Sequence, residues 1–167
     1  MPALFLSAPS GTGKTYAVCK ALACSGSAFF GLMTYKVKHS SPTHTDIFIV
    51  SVTGNGGLPM QKGAPRLVAT SRADASYCAK MGATENASAQ SSVPASERGN
   101  FAHIFPNAFD DAAAFIENAQ NKAEFAGRIL LLDELGRLEQ EATRFQKAVL
   151  DALMSPQKTI GVIQKAP

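Results

Sequence analysis

The chain has 167 residues, 46% hydrophobic and 17% charged, with a formal net charge of +3. That length suits one domain with a single substantial core, and the balance reads as soluble and globular. No apolar run approaches the roughly 20 residues of a membrane span, and Met1-Pro2-Ala3 lacks the basic region of a secretory signal, so a cytoplasmic protein with no membrane partner is expected.

The first expected strand is Ala3–Ser7, around Leu4-Phe5-Leu6. Next come Ala8-Pro9-Ser10-Gly11-Thr12-Gly13-Lys14-Thr15 and a helix over Lys14–Ala23 that begins with Tyr16 after the Lys-Thr pair. Strand, glycine-containing loop, Lys-Thr, helix is the order of a phosphate-binding loop, whose backbone N–H groups at a helix N-terminus wrap a di- or triphosphate. Ala8 stands where the usual pattern begins with Gly. Ala8 to Tyr16 is thus the candidate nucleotide-binding set. Lys14 is placed to reach the β- and γ-phosphates, and the Thr15 hydroxyl to ligate Mg²⁺.

Ser25-Gly26-Ser27 breaks the helix, and Phe29–Thr34 reads as a second strand. After the polar turn His39–Thr43, Asp46–Val52 is rich in β-branched residues and reads as a strand. Gly54-Asn55-Gly56-Gly57 is a turn that lets this strand enter a hairpin, and Arg66–Thr70 is a further strand. Residues 71–100 hold many Ser, Ala and Asn and almost no large aliphatics. A loop of that length is functional or disordered, so a mobile surface segment is expected.

Helical spacing returns at Ala108–Lys122, with Phe109, Ala112, Ala113, Ile116 and Ala119 on one side, Asn107 as N-cap, and Asp110 and Asp111 in the first turn. Ile129–Leu132 is a wholly apolar run ending in Asp133-Glu134, which suits a buried parallel strand with acids at its carboxyl end, where ligands bind in open α/β sheets. Asp133 is placed to hold Mg²⁺ or its water shell, and Glu134 to take a proton from an attacking water. Gly136 breaks the strand. A second amphipathic helix follows over Glu139–Met154, with Ala142, Phe145, Val149 and Leu153 as its stripe, and Thr159–Ile163 is a last parallel strand.

Strands alternating with helices around a phosphate loop indicate an α/β fold, a largely parallel sheet flanked by helices, with an antiparallel-looking region at about 29–70 inserted before the acidic strand. No repeat or linker divides residues 1–167, so one domain is expected. Charge is uneven: residues 1–72 carry seven Lys/Arg against the single acid Asp46, and residues 73–167 nine against twelve acids. A basic N-terminal part suits a polyphosphate ligand. Nucleic acid is compatible with it but is not indicated, because no basic run is interleaved with aromatics. Cys19, Cys24 and Cys78 suggest reduced thiols, Cys19 in the core, and His39, His44 and His103 complete no convincing metal set.

Asp133-Glu134-Leu135-Gly136-Arg137-Leu138-Glu139 is similar to the Asp-Glu-Ile-Gly-(Lys/Arg)-Met-Glu segment of a family of small nucleoside triphosphatases with a RecA-like core. Ala8–Thr15 agrees with that family's phosphate loop. Gly31–Lys38 resembles its Gly-Phe-Tyr-Thr-Glu-Glu-Val-Arg segment, with Tyr35-Lys36 in place of the Glu pair and Lys38 in place of Arg. Phe145–Leu153 resembles the helix after its acidic motif. The resemblance covers most of the chain apart from 71–100. It implies a P-loop fold and slow hydrolysis of ATP, GTP and other nucleoside triphosphates to the diphosphate and phosphate.

The residues leave two other uses of the same loop open. One is a small kinase of nucleosides or metabolites, against which the scarcity of Arg in 71–100 and the Asp-Glu pair both argue. The other is a nucleotide-gated regulatory module. Arg137, four residues past Asp133, is a candidate for stabilising charge on the γ-phosphate. No segment reads guanine, so loose base selection is expected, and nothing in the chain names a protein partner.

Overall fold

A computed structural model describes residues 3–9, 11–39, 44–71, 101, 103–136 and 138–164. In chain order its elements are β1 (Ala3–Ala8), α1 (Lys14–Ser25), β2 (Ala28–Lys38), β3 (Thr45–Asn55), β4 (Met60–Gln61), β5 (Arg66–Thr70), β6 (His103–Ile104), α2 (Ala108–Gln120), a short 3₁₀ turn (Ala123–Phe125), β7 (Ile129–Leu135), α3 (Thr143–Met154) and β8 (Thr159–Gln164). The 71–100 segment lies outside the described residues from 72 onward, as does Cys78.

The described strands form one sheet in the order β1-β8-β7-β2-β3-β5-β6, with β4 paired to β3. β1, β8, β7 and β2 run parallel, whereas β3, β4, β5 and β6 join antiparallel. The sequence assigns all of about 29–70 to an antiparallel-looking insertion; in the structure the parallel and antiparallel parts meet within β2. Residues 29–32 of that strand pair with β7 in parallel, and its whole length pairs with β3 in antiparallel.

Side-chain alternation sets the layers. Even-numbered Phe30 and Leu32 of β2 and Leu130 and Leu132 of β7 face α2 and α3, in a core closed by Phe109, Ile116, Phe125 and Phe145. Odd-numbered Phe29 and Leu131 face α1 with Val18, Leu22 and Val162. Each large buried side chain stabilises the fold by about 1.5–3 kcal/mol relative to exposure. Two glycines let the central strand sit tight between its neighbours. A Cβ on Gly31 of β2 would come 1.9 Å from Leu131 O, and one on Gly161 of β8 would come 2.5 Å from Leu132 O.

Three local expectations change. Gly54 and Asn55 extend β3, and the turn comes after them, leading to the β3–β4 hairpin. Asn107 makes no side-chain cap bond to α2, whose first turn keeps only its two acids. α3 begins at Thr143, not Glu139. The Glu139 carboxylate is turned back onto the Gly136 N–H, while the Gln146 amide donates to the carbonyls of Glu139 and Gln140 at 2.8 Å. Side chains capture this backbone in a turn, a competitor that helical periodicity does not register. Among the described residues no helix is long and apolar enough to cross a membrane.

Candidate active site

The loop after β1 owes its shape to two glycines. Gly11 and Gly13 both lie at φ 80, a left-handed conformation in which other residues are strained. A Cβ at either would meet nothing within 4 Å, so the requirement is conformational and not steric. Gly13 leads straight into α1, and no side-chain cap bond is made at that helix end. Thr12 Oγ1 donates to Pro9 O at 2.9 Å and braces the loop from within.

Lys14 is only 8% exposed, unusual for lysine. Its ammonium donates to Ala8 O at 2.8 Å and Pro9 O at 2.9 Å, so the charge sits inside the loop. Thr15, one residue on, donates its hydroxyl to Asp133 Oδ1 at 2.7 Å. That bond joins the start of α1 to the carboxyl end of β7.

Asp133 is 4% exposed, and its second oxygen, Oδ2, is buried and meets no hydrogen-bond donor at bonding geometry among the described residues. Burial pushes its carboxyl up to about 6. The Thr15 hydroxyl opposes that shift, the Glu134 charge adds to it, and the Thr34 and Glu134 backbone amides offset a smaller part. Burial, and secondarily the Asp133 charge, also raises the Cys19 thiol, which lies in the core as the sequence suggested.

Next to it the chain bulges. Leu132 pairs with Gly161 and Leu135 with Ile163, so Asp133 and Glu134 together face a single residue of β8. Glu134 takes φ 53, the one described non-glycine residue at positive φ. An L-residue there costs on the order of 1 kcal/mol. The bulge sends two successive carboxylates to different neighbours: Asp133 meets Thr15 on the α1 side, whereas Glu134 reaches β2. There Thr34 Oγ1 lies 3.4 Å and Lys36 Nζ 3.8 Å from Glu134 Oε2.

The structure thus brings Gly11, Gly13, Lys14, Thr15, Tyr16 and Glu134 onto one cleft, with Asp133 directly behind Thr15. Ala8 and Pro9 lie beneath it, as acceptors for Lys14. Ser10 and Arg137 fall outside the described residues. Sequence reasoning missed Thr34 and Lys36 as neighbours of Glu134. The only hint of them was the departure from the familial Glu pair at Tyr35-Lys36. His39 Nε2 lies 2.7 Å from buried Asp46 Oδ2, and the described residues contain no cluster of three His, Cys, Asp or Glu.

A glycine loop opening a helix, a lysine drawn into it, and a helix hydroxyl tied to a strand-end aspartate define the P-loop class of nucleoside-triphosphate proteins. The chain matches a family model described as NTPase over residues 3–167, and it belongs to that family. Two solved structures share its fold. One is the crystal structure of THEP1 from the hyperthermophile Aquifex aeolicus, at TM-score 0.67 and 16% identity, covering 98% of this chain and 77% of that one. The other is the solution structure of a human cancer-related nucleoside triphosphatase, at TM-score 0.60 and 19% identity, covering 100% of this chain and 78% of that one. No curated protein sequence matches the chain significantly.

Proposed function

We propose that the chain, acting as one domain in the cytoplasm, is a Mg²⁺-dependent nucleoside triphosphatase that converts ATP, GTP and other nucleoside triphosphates to the diphosphate and phosphate. The observation that carries this reading is the Thr15–Asp133 bond at 2.7 Å, with Asp133 Oδ2 buried beside it and unpartnered among the described residues. A hydroxyl and a carboxylate are hard oxygen donors of the kind Mg²⁺ takes, and an orphaned carboxylate oxygen is costly unless a cation or donor meets it. Thr15 and Asp133 fit that ion, which when bound would neutralise charge on the β- and γ-phosphate oxygens.

The remaining roles belong to the chain itself. The loop amides from Gly11 onward hold the phosphates, and Lys14 exchanges two carbonyl partners for phosphate oxygens. Glu134 orients a water and accepts its proton as the water oxygen attacks the γ-phosphorus and the bond to the bridging oxygen breaks. Thr34 and Lys36 position the Glu134 carboxylate from β2. Arg137 steadies charge on the γ-phosphate, in its own chain or a neighbour's.

The test is phosphate release from a panel of nucleoside triphosphates with and without Mg²⁺. Release from several bases, abolished by chelation, is expected. No release from any nucleotide, or release indifferent to Mg²⁺, would sink the reading.

A further inference from the structure

The cleft extends well past the phosphate loop, to a volume of about 770 Å³. Strand order shows in which direction. The loop follows β1, Asp133 and Glu134 stand at the end of β7, and β2 and β3 lie one and two strands further from β1. A triphosphate whose γ-phosphate meets Glu134 therefore trails its nucleoside back over the loop, toward β1. The cleft runs the opposite way, between α1 and the β3–β4 hairpin, over Met33 and Tyr35 of β2, Val50 and Val52 of β3, and Leu58.

That volume includes the phosphate end, which the triphosphate fills; hydrolysis needs room for one further water, yet the part beyond the loop is walled by Met33, Tyr35, Val50, Val52 and Leu58, as a site for a small organic ligand is. Its walls are suited to one. Tyr35 is stacked on Phe48 at 5.4 Å between ring centroids and 17° between planes, which fixes a flat aromatic surface. Tyr16 and Leu58, at the mouth, are 69% and 75% exposed, so apolar area there is left facing solvent. Among the described lining residues only Lys14 and Glu134 are charged, and both sit at the phosphate end. A charged ligand finds no counter-ion along the walls. A neutral one with an apolar body finds contact on several sides, and a hydroxyl on it would lie toward Glu134.

We propose that this cleft binds a second substrate, a neutral, mainly apolar small alcohol, and that the γ-phosphate passes to it in competition with water. The proposal rests on the nucleoside-triphosphate reading of the loop. The alcohol oxygen attacks the γ-phosphorus, and its proton passes to Glu134. The bond to the bridging oxygen breaks with its electron pair, and the nucleoside diphosphate leaves. The other product is a phosphate monoester.

The experiment incubates the protein with Mg²⁺ and ATP alone, or with benzyl alcohol, thymidine or glycerol, and follows products by ³¹P NMR. A monoester of benzyl alcohol or thymidine is expected, with none from glycerol, which has hydroxyls but no apolar body. Leu58→Glu should cut monoester yield at least about tenfold, because the bound alcohol loses apolar contact and would have to strip water from the new carboxylate. Leu58 is exposed, and the variant's melting temperature checks that its fold is kept. Inorganic phosphate as the sole product in every arm overturns the proposal. So does equal transfer to glycerol, full transfer by Leu58→Glu, or an alcohol that alters phosphate release without being phosphorylated. Failure of the underlying reading is distinct: no diphosphate would form in any arm, ATP alone included.

Discussion

Thr15 Oγ1 donates to Asp133 Oδ1 at 2.7 Å, linking residues 118 positions apart. One bond thereby fixes the phosphate loop against the strand that carries both acids. It also leaves Asp133 Oδ2 buried without a hydrogen-bond partner among the described residues. Replacing Thr15 by Val keeps the shape and removes the hydroxyl. The variant should need more Mg²⁺, release phosphate more slowly, and lose about 1–3 kcal/mol of stability from the stranded carboxylate. A Mg²⁺ titration of the rate beside a urea melt reads both effects. An unmoved titration curve would remove Thr15 from the metal site.

Lys14→Ala withdraws the counter-charge that the loop encloses. Triphosphate binding, measured by calorimetry, should weaken, and phosphate release should fall to background. The carbonyls of Ala8 and Pro9 would also lose their donor, so the loop should become more exposed to proteolysis. Parental phosphate release in this variant would take the loop out of the mechanism.

Glu134 offers a separation of chemistry from backbone. Glu134→Gln should bind ATP with Mg²⁺ about as well as the parent and release phosphate at least roughly tenfold more slowly, the low side of a general base's contribution. Asp133→Asn should instead disturb the Mg²⁺ dependence. Glu134→Gly should be as slow as the Gln variant yet no less stable than the parent, because it relieves φ 53. Elsewhere in a strand the same change costs about 0.5–1 kcal/mol. A Gly variant that melts well below the parent would show that the bulge is not strained.

Gly31→Ala tests the close contact of β2 with β7. Its Cβ would collide with Leu131 O at 1.9 Å, on backbone at φ 155, so strand separation is the only escape. A loss of about 3 kcal/mol or more is expected in a urea melt. Gly63→Ala, where a Cβ meets nothing within 4 Å, serves as the control and should stay within about 0.5 kcal/mol of the parent. Equal midpoints for the two variants would contradict the packing account.

Arg137→Ala should lower the rate of phosphate release more than it weakens nucleotide binding if the side chain steadies charge on the γ-phosphate. An equal, small effect on both would make it an ordinary solvated arginine.

Much of this protein was legible along the chain because its signals are local. Gly11 and Gly13 bracket a loop only glycine adopts easily, the apolar run before Asp133-Glu134 can only be a buried strand or helix segment, and the stripe of α2 repeats at helical spacing. Where local signals competed, the reading slipped. Glu139 and Gln146 bond to nearby backbone and delay α3, although their neighbours fit a helix. Other features exist only when distant segments meet. β8, the last strand, inserts between β1 and β7; β2 is shared between a parallel and an antiparallel partner. The bulge at Asp133-Glu134 is a mismatch of β7 against β8, and at it the Asp133 side chain meets the Thr15 hydroxyl while Glu134 lies by the side chains of Thr34 and Lys36. The cleft beyond them is bounded by residues from α1, β2, β3 and the hairpin loop. Sequence determined which groups were present and the shape of each short segment, since backbone dihedrals and burial periodicity act over a few residues. Strand order and the direction of Glu134 were decided by tertiary structure, because they follow from how whole elements share one core.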